Sequence, residues 1–247
     1  MSMQKYRATM LVCFTPLVTL ATFAIEYALA AFVFLRYGHR PFGRLVSVVL
    51  LLLGTFQLAE YRICLGDRTE LWTVIGWMAI TLLPSASAHI AAWVTRRTTL
   101  LVPMLHAVAA IFAGIILWRP AVVQLGTCTG KFVTFSYHSA FGAAYSLYYG
   151  AGLAIALAWL IAALVTKSGH RSLVGWTLVG YCSFLVPVGV LTVFSLITRM
   201  NVPSILCGFA VLLAVILTVR VVPLEAQLRQ TVRAHRRTRA PHAFRTS

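Results

Sequence analysis

Residues 45–63 read LVSVVLLLLGTFQLAEYRI, and this stretch decides the class of the protein. A bilayer core is about 30 Å thick, so a helix needs about 20 mostly apolar residues to cross it. The run from Val48 to Gly54 lacks the alternation of apolar and polar residues that is typical of membrane β-barrel strands. The stretch therefore predicts a transmembrane α-helix, and it places Gln57 and Glu60 inside that helix.

Similar apolar runs recur along the chain of 247 residues, which is 60% apolar, 11% charged and has a mean hydropathy of +0.86. We predict seven crossings, at residues 10–35, 45–63, 71–94, 99–118, 141–165, 173–197 and 204–222. The first run exceeds the apolar region of about 7–15 residues in a signal peptide, so we interpret it as a retained helix. The sequence predicts an all-α, polytopic membrane helix bundle over residues 1–222, followed by a basic juxtamembrane tail over residues 223–247.

Lysine and arginine residues between the helices predict the orientation, because positive charge is retained on the cytoplasmic side of short loops. Of the 21 lysines and arginines, fourteen lie in the tail or in connections on one side, and seven lie on the other side. We therefore expect the N-terminus outside and the C-terminus inside. The expected location is a cell membrane crossed several times, with the bacterial cytoplasmic membrane favoured.

The net charge of +16 suggests partners of opposite charge. Nucleic acid is one such partner, because clustered lysines and arginines release counterions from phosphate backbones. Much of the charge is dispersed between helices, however, and the cluster from Arg233 to Arg239 follows a membrane helix. Leu224, Leu228 and Val232 recur every four residues, as in a helix on a membrane surface. We therefore expect anionic lipid headgroups and no nucleic acid as partner, with an unfolded basic tail as the alternative.

The five cysteines form no CxxC pair and no spacing typical of a zinc site. Cys64 follows the second predicted helix, and Cys128 lies in the long connection before the fifth. Both are predicted on the outer side, where an oxidising environment lets disulfides persist. We predict a disulfide between Cys64 and Cys128.

Polar residues recur at helical spacing inside three predicted helices, although an ionisable group in hydrocarbon is costly. Steps of three and four residues bring them onto one face of each helix. The three faces carry Thr15, Thr19, Thr22 and Glu26; Gln57, Glu60 and Cys64; and Thr81, Ser85 and His89. The candidates for a ligand or ion pathway are Glu26, Gln57, Glu60, Thr81, Ser85 and His89. Plain packing is the alternative for the hydroxyls, because serine and threonine often bond to carbonyls of their own helix.

Depth in the membrane suggests a second grouping, in which His106 joins Glu26 and His89. Glu26, His89 and His106 all lie in the predicted inner half of the membrane. One carboxylate and two imidazoles can bind zinc or iron, and a metal with an open position could activate water for hydrolysis. The alternative is that each histidine is simply hydrogen-bonded within the bundle. We expect no other cofactor.

Two further features concern the third helix and the connection before the fifth. Pro84 has no N–H and permits a kink, so the segment from Leu82 to His89 favours either a ligand pocket or close helix packing. Aromatic residues are dense between Phe132 and Tyr149. We expect most of them to form a belt at the membrane interface, with a lid over the bundle mouth as the alternative.

Several functional classes lack their sequence signatures. No lysine lies within a predicted helix, which excludes a retinal Schiff base. The sequence contains no GxxxxGK[ST] phosphate loop, no HExxH and no GxSxG. No motif therefore indicates an enzyme.

Four segments carry a resemblance to known proteins: Cys13 to Pro16, Gln57-x-x-Glu60, Leu82 to His89, and Pro203 to Phe209. Together they resemble uncharacterised bacterial seven-helix membrane proteins over most of the chain. The layout is also similar to the membrane sensor region of seven-helix histidine kinases, here without a kinase domain. The resemblance supplies no activity and no roles for individual residues.

These observations favour a sensor or small-ligand-binding membrane protein. Its ligand would bind at the outer mouth near Gln57 and Glu60 and the kinked third helix, and the basic tail would pass the signal to a cytoplasmic partner. A proton- or ion-coupled carrier based on Glu26 and Glu60 is the second hypothesis. The third is a metal-dependent intramembrane hydrolase built on the metal site described above.

Overall fold

The computed structural model of the chain describes residues 16–124, 127–128, 133–134, 139–167, 170–194 and 202–239. The helices are α1 (Pro16–Tyr37), α2 (Pro41–Cys64), α3 (Thr69–Thr95), α4 (Leu101–Trp118), α5 (Ser139–Val165), α6 (Arg171–Phe194), α7 (Val202–Ile216) and α8 (Val222–Arg239). Seven helical segments are long and apolar enough to cross a membrane. The prediction of an all-α membrane helix bundle is therefore confirmed. Two predicted parts of the crossings lie outside the described residues. They are the start of the first crossing at 10–15, which includes Thr15, and the end of the sixth crossing at 195–197.

Local sequence explains where two central helices begin and end. Pro41 stands in the first turn of α2, where its missing N–H would have no partner in the helix anyway. At the end of α3, Arg96 adopts a left-handed backbone conformation with φ 55°, and its N–H bonds to the carbonyl of Trp93. Such a residue closes a helix because the chain cannot continue in the right-handed conformation.

The helix α3 lies at the centre of the bundle. It packs against α2, α4, α5 and α6, and it is the most deeply buried of the seven spans. On one side α1 and α2 pack against α7, which also contacts α6. The most exposed spans are α1 and α4, as expected of helices that face lipid on most of their surface.

The two ends of the bundle differ in chemistry. The connections α1–α2, α3–α4 and α5–α6 and the start of α8 lie at one end, here called the basic end, which includes Arg40, Arg96 and Arg229. The opposite end, here called the disulfide end, carries Cys64. The orientation of these ends in a membrane stays a prediction.

The predicted tail starts as a continuation of the last membrane helix. A π-helical turn at Leu217–Val221 joins α7 to α8 without a break, and Pro223 is the second residue of α8. Proline cannot donate its backbone hydrogen bond, and the wider π turn accommodates this loss within a continuous helix. As a result, α8 extends from the basic end and packs against α2.

The long connection between α4 and α5 covers the end of α2. After a 3-10 helix at Pro120–Val122, strand β1 (Thr127–Cys128) pairs antiparallel with strand β2 (Val133–Thr134), and both contact α2. The sulfur atoms of Cys64 and Cys128 lie 1.99 Å apart, at disulfide bonding distance. The hairpin is therefore tethered to α2 at the disulfide end, as the predicted pairing requires.

Candidate functional site

The candidate site begins where α1 and α2 approach each other at Gly54. A Cβ atom at Gly54 would lie only 2.5 Å from the ring of Tyr27 and 3.4 Å from the Cβ of Glu26. The Tyr27 hydroxyl is 2.9 Å from the hydroxyl of Thr55, which fixes the two helices side by side. This close contact holds Glu26 directly against α2.

The geometry of antiparallel helices brings three polar side chains of this interface together. Gln57 and Glu60 follow Gly54 at helical spacing, so they share a face of α2 with it. Helical side chains lean toward the N-terminus of their own helix, so Glu26 leans toward the disulfide end and Glu60 leans toward the basic end. The two carboxyl groups are close enough to interact electrostatically. We call Glu26, Gln57 and Glu60 the polar triad.

The triad is almost completely removed from solvent. Relative exposure is 0% for Glu26, 1% for Gln57 and 2% for Glu60. Within the described part of the chain, both carboxyl oxygens of Glu26 and both polar amide atoms of Gln57 have no hydrogen-bond partner. Buried polar groups are normally hydrogen-bonded, because an unpaired one forfeits its interaction with water. The triad is therefore the part of the bundle that most requires a bound partner.

Two of the three pathway candidates on α3, Thr81 and Ser85, have structural partners instead. The Thr81 hydroxyl donates to the carbonyl of Trp77 at 2.6 Å, and the Ser85 hydroxyl donates to the carbonyl of Leu82 at 2.9 Å. At Pro84 the kink region is filled by α5, since a Cβ at Gly152 would lie 2.6 Å from the proline ring. These contacts favour the packing interpretation of the segment over a ligand pocket.

His89 and His106 meet as predicted by their depth, but Glu26 does not join them. Nδ1 of His89 and Nε2 of His106 are 3.3 Å apart, between α3 and α4. Glu26 lies on α1 and interacts with Glu60, because its face of α1 packs on α2. Among the described residues, no group of three His, Cys, Asp or Glu side chains could hold a metal ion. The described geometry therefore gives no support to the metal site of Glu26, His89 and His106, and this site and the hydrolase built on it stay predictions.

Two tyrosines of the predicted interfacial belt are instead buried against α3. Tyr145 and Tyr148 are 3% and 6% exposed, and the Tyr148 hydroxyl donates to the carbonyl of Thr81 at 2.7 Å. Tyr181 of α6 likewise donates to the carbonyl of Ser87 at 2.8 Å. These hydroxyls supply donors to the backbone near Pro84. The predicted belt members at 132, 135, 137 and 138 lie outside the described residues.

A second polar cluster, at the basic end, was not predicted from the sequence. Trp93 of α3 donates its indole N–H to the Glu225 carboxylate at 3.2 Å, and Arg229 forms an ion pair with the same carboxylate. The guanidinium of Arg229 also lies 4.6 Å from the centre of the Trp93 ring. Arg40, directly before α2, donates to the carbonyl of Ala226 at 2.9 Å. We call Arg40, Trp93, Glu225 and Arg229 the α8 clamp.

One sequence signal could have indicated the clamp. Glu225 is the only acidic residue in a strongly basic tail, and Arg229 follows it by four residues, which is ion-pair spacing on a helix. The buried contact of Glu225 is with Trp93, which is 132 positions away in the chain. Only the folded structure shows that contact.

A scan of protein families and searches of curated proteins and solved structures found no match to this chain. The functional interpretation therefore depends on the chemistry of the polar triad and the α8 clamp. The resemblance to bacterial seven-helix proteins and to sensor regions stays a prediction.

Proposed function

We propose that this seven-helix membrane protein is a sensor that binds a small cation or amine at the polar triad. The observation that supports this proposal is the complete burial of Glu26 and Gln57 without hydrogen-bond partners among the described residues. Carboxylate and amide oxygens are the groups that bind hard cations and N–H donors. A ligand of this kind would offset the cost of burying the triad.

The position of the triad restricts the size of the ligand. Its members lie between α1 and α2, which are in direct contact one turn away at Gly54 and Tyr27. Such a site suits a sodium ion, an ammonium ion or a small primary amine. A bulky quaternary ammonium ion has no N–H donor and would require the two helices to separate.

The α8 clamp supplies a route by which binding could be sensed at the other end of the molecule. Gln57 and Glu60 belong to α2. The start of this helix contacts the clamp through Arg40, the residue before it, and through Phe42, whose ring centre lies 5.8 Å from that of Trp93. A shift of α2 against α1 would therefore change the contacts that hold α8. Coupling of this kind needs one element with two arrangements that both sites bias, and α2 is that element in our proposal.

Hydrogen–deuterium exchange of α8 in the purified full chain tests this proposal. The exchange rates of the protein in neutral detergent are compared among three salts at equal ionic strength: sodium chloride, methylammonium chloride and choline chloride. We expect sodium or methylammonium, but not choline, to alter exchange over residues 222–239. The response should be lost in Glu26→Gln and kept in the matched control Glu70→Gln, because Glu70 is exposed. An unchanged α8 in all three salts, or an equal response in Glu26→Gln, would contradict the proposal.

An ion-coupled carrier is the second candidate, because the electrostatic interaction between Glu26 and Glu60 is also suited to exchanging a cation. Proteoliposomes loaded with labelled sodium or methylammonium distinguish the two functions. Net transport that is lost in both Glu26→Gln and Glu60→Gln would favour a carrier. Transport that persists unchanged in both variants would exclude a carrier role for these carboxyl groups.

The proposed setting is a bacterial cytoplasmic membrane, with the basic end and the tail in the cytoplasm, where the tail would meet anionic lipids and a signalling partner. The bias of lysine and arginine toward the basic end supports this orientation. A fluorescent protein that folds only in the cytoplasm, fused after Ser247, should therefore fluoresce in a bacterial host. An exported alkaline phosphatase at the same position should be inactive, and the reverse pattern would contradict the orientation.

A further inference from the structure

A cavity of about 380 Å³ lies at the basic end, between the end of α3, the start of α6 and one face of α8. Its polar lining consists of Arg96, His170, Glu225 and Arg229. Leu173 and Val232 belong to its apolar lining. The cavity therefore combines charged and apolar walls at the ends of the helices.

The charge of the lining is positive. The Glu225 carboxylate is already paired with Arg229 and accepts the hydrogen bond from Trp93. Arg96 forms no ion pair with any residue that the structure describes. The other four acidic residues of the sequence lie away from this cavity. Glu26 and Glu60 belong to the polar triad, and Asp67 and Glu70 lie near the α2–α3 connection at the disulfide end. An anion in this cavity would thus meet an uncompensated arginine.

The start of α6 contributes to this positive field, whereas the C-terminal end of α3 in the same cavity partly offsets it and leaves Arg96 as the main positive group. His170 and Leu173 both line the cavity, and they bracket the first turn of a helix of 24 residues. The N–H groups of a first helical turn have no partners within the helix and carry the positive end of its dipole. Together with Arg96, they form the type of surroundings in which phosphate groups bind to proteins.

We infer that this cavity binds the phosphate group of an anionic phospholipid, with Arg96 and the start of α6 as the phosphate contacts. The apolar walls formed by Leu173 and Val232 lie beside the charged ones and would contact the first part of an acyl chain. A free phosphate compound shares the headgroup chemistry but has no acyl chain that could contact the apolar walls. The cavity shares Trp93, Glu225 and Arg229 with the α8 clamp. The inference does not depend on the proposed sensing role, because its ligand and its phosphate contacts differ from those of the polar triad.

Binding to the purified full chain tests the inference. The protein in neutral maltoside detergent is titrated with four probes: dihexanoyl phosphatidylglycerol, dihexanoyl phosphatidylcholine, glycerol 1-phosphate and inorganic phosphate. Thermal unfolding and tryptophan fluorescence follow binding, since Trp93 lies in the cavity wall. The variants are Arg96→Gln and His170→Gln. Arg97→Gln is the matched control, because Arg97 carries the same charge next to Arg96 in the sequence but is not one of the lining residues.

We expect phosphatidylglycerol to raise the unfolding temperature and phosphatidylcholine to have little effect. Arg96→Gln should weaken the apparent affinity tenfold or more, whereas Arg97→Gln should change it less than twofold. A general attraction of anionic lipids to a basic surface would instead affect both arginine variants equally. Equal effects of the two variants, or equal binding of the two lipids, would therefore overturn the inference.

The two soluble probes identify the source of the phosphate. If glycerol 1-phosphate or inorganic phosphate binds as tightly as phosphatidylglycerol, the acyl chain contributes nothing and the lipid part of the inference is overturned. Should Arg96→Gln fail to fold, His170→Gln and the comparison of the four probes on the wild-type protein keep the inference testable. Undiminished phosphatidylglycerol binding in His170→Gln would then count against the cavity as the site.

Discussion

Gly54 is the residue on which the contact between α1 and α2 most visibly depends. Its missing side chain leaves room for the Tyr27 ring, which lies 2.5 Å from the position of a Cβ atom and is held there by Thr55. We expect Gly54→Ala to lower the free energy of unfolding by about 1–3 kcal/mol, because an overpacked interface must shift. Unfolding by sodium dodecyl sulfate in mixed micelles measures the change.

Gly114 of α4 provides the matched control, because a Cβ there would meet no atom within 4 Å. Gly114→Ala should leave the free energy of unfolding unchanged or raise it by up to about 1 kcal/mol, since alanine favours the helix more than glycine does. If the two variants behave alike, the close approach at Gly54 is not a determinant of stability. Gly54→Ala should also weaken any ligand binding at the triad, because it displaces Glu26.

Tyr148 acts on the backbone at Pro84. Its hydroxyl donates to the carbonyl of Thr81, three residues before the proline, in a part of the helix where the regular hydrogen bonds are interrupted. We expect Tyr148→Phe to destabilise the protein by about 1–2 kcal/mol, because the buried carbonyl loses this donor. Unfolding by sodium dodecyl sulfate in mixed micelles measures this loss of stability. Tyr61→Phe should have no such effect, since the Tyr61 hydroxyl forms no hydrogen bond with described residues; equal losses would refute the assignment.

At the scale of secondary structure elements, α8 is held to the bundle by a few specific contacts. Trp93 both donates to Glu225 and stacks beneath Arg229, so one side chain supports two members of the clamp. We expect Trp93→Phe to speed hydrogen exchange in α8 at least several-fold while α1 to α4 stay protected. The reason is that Glu225 loses a buried hydrogen bond and Arg229 loses the better aromatic partner.

Trp118→Phe is the control for the Trp93 variant, because Trp118 is 84% exposed at the end of α4. It should leave exchange in α8 as in the wild type. If Trp93→Phe also leaves α8 unchanged, the clamp does not hold this helix. The route from the polar triad to α8 would then need a different explanation.

At the scale of the whole molecule, the contact between Cys64 and Cys128 closes a loop with a sequence separation of 64 residues. A chain-entropy treatment gives up to about 4 kcal/mol for a loop of this length. The effect should be smaller here, because inserted helices already restrict the unfolded chain. We expect the Cys64→Ser, Cys128→Ser double variant to unfold at a lower temperature than the wild type and to resemble the reduced wild-type protein.

Cys182 gives the control for these cysteine variants, since it is a free cysteine on α6. Cys182→Ser should retain the effect of reducing agent on the unfolding temperature. An oxidised wild-type protein that unfolds at the same temperature as the double variant would show that the tether of the hairpin adds no stability.

The sequence by itself determined the membrane class and the number of crossings. Apolar runs long enough for a bilayer leave the backbone only one way to satisfy its hydrogen bonds within each segment, which is the α-helix. The disulfide pairing and the presence of Gln57 and Glu60 in α2 also followed from position along the chain. These properties are local, or they depend only on which end of a helix a residue occupies.

Only the tertiary structure decided which polar side chains share a site. Helical spacing shows that Glu26 and His89 each lie on a polar stripe, but it does not show which helix faces which. Packing brought Glu26 to Glu60 and left His89 with His106. Likewise, the tail became an ordered helix because Glu225 meets Trp93. The physical reason is that such contacts depend on the rotation and neighbours of each helix, which many side chains fix together and no single segment encodes.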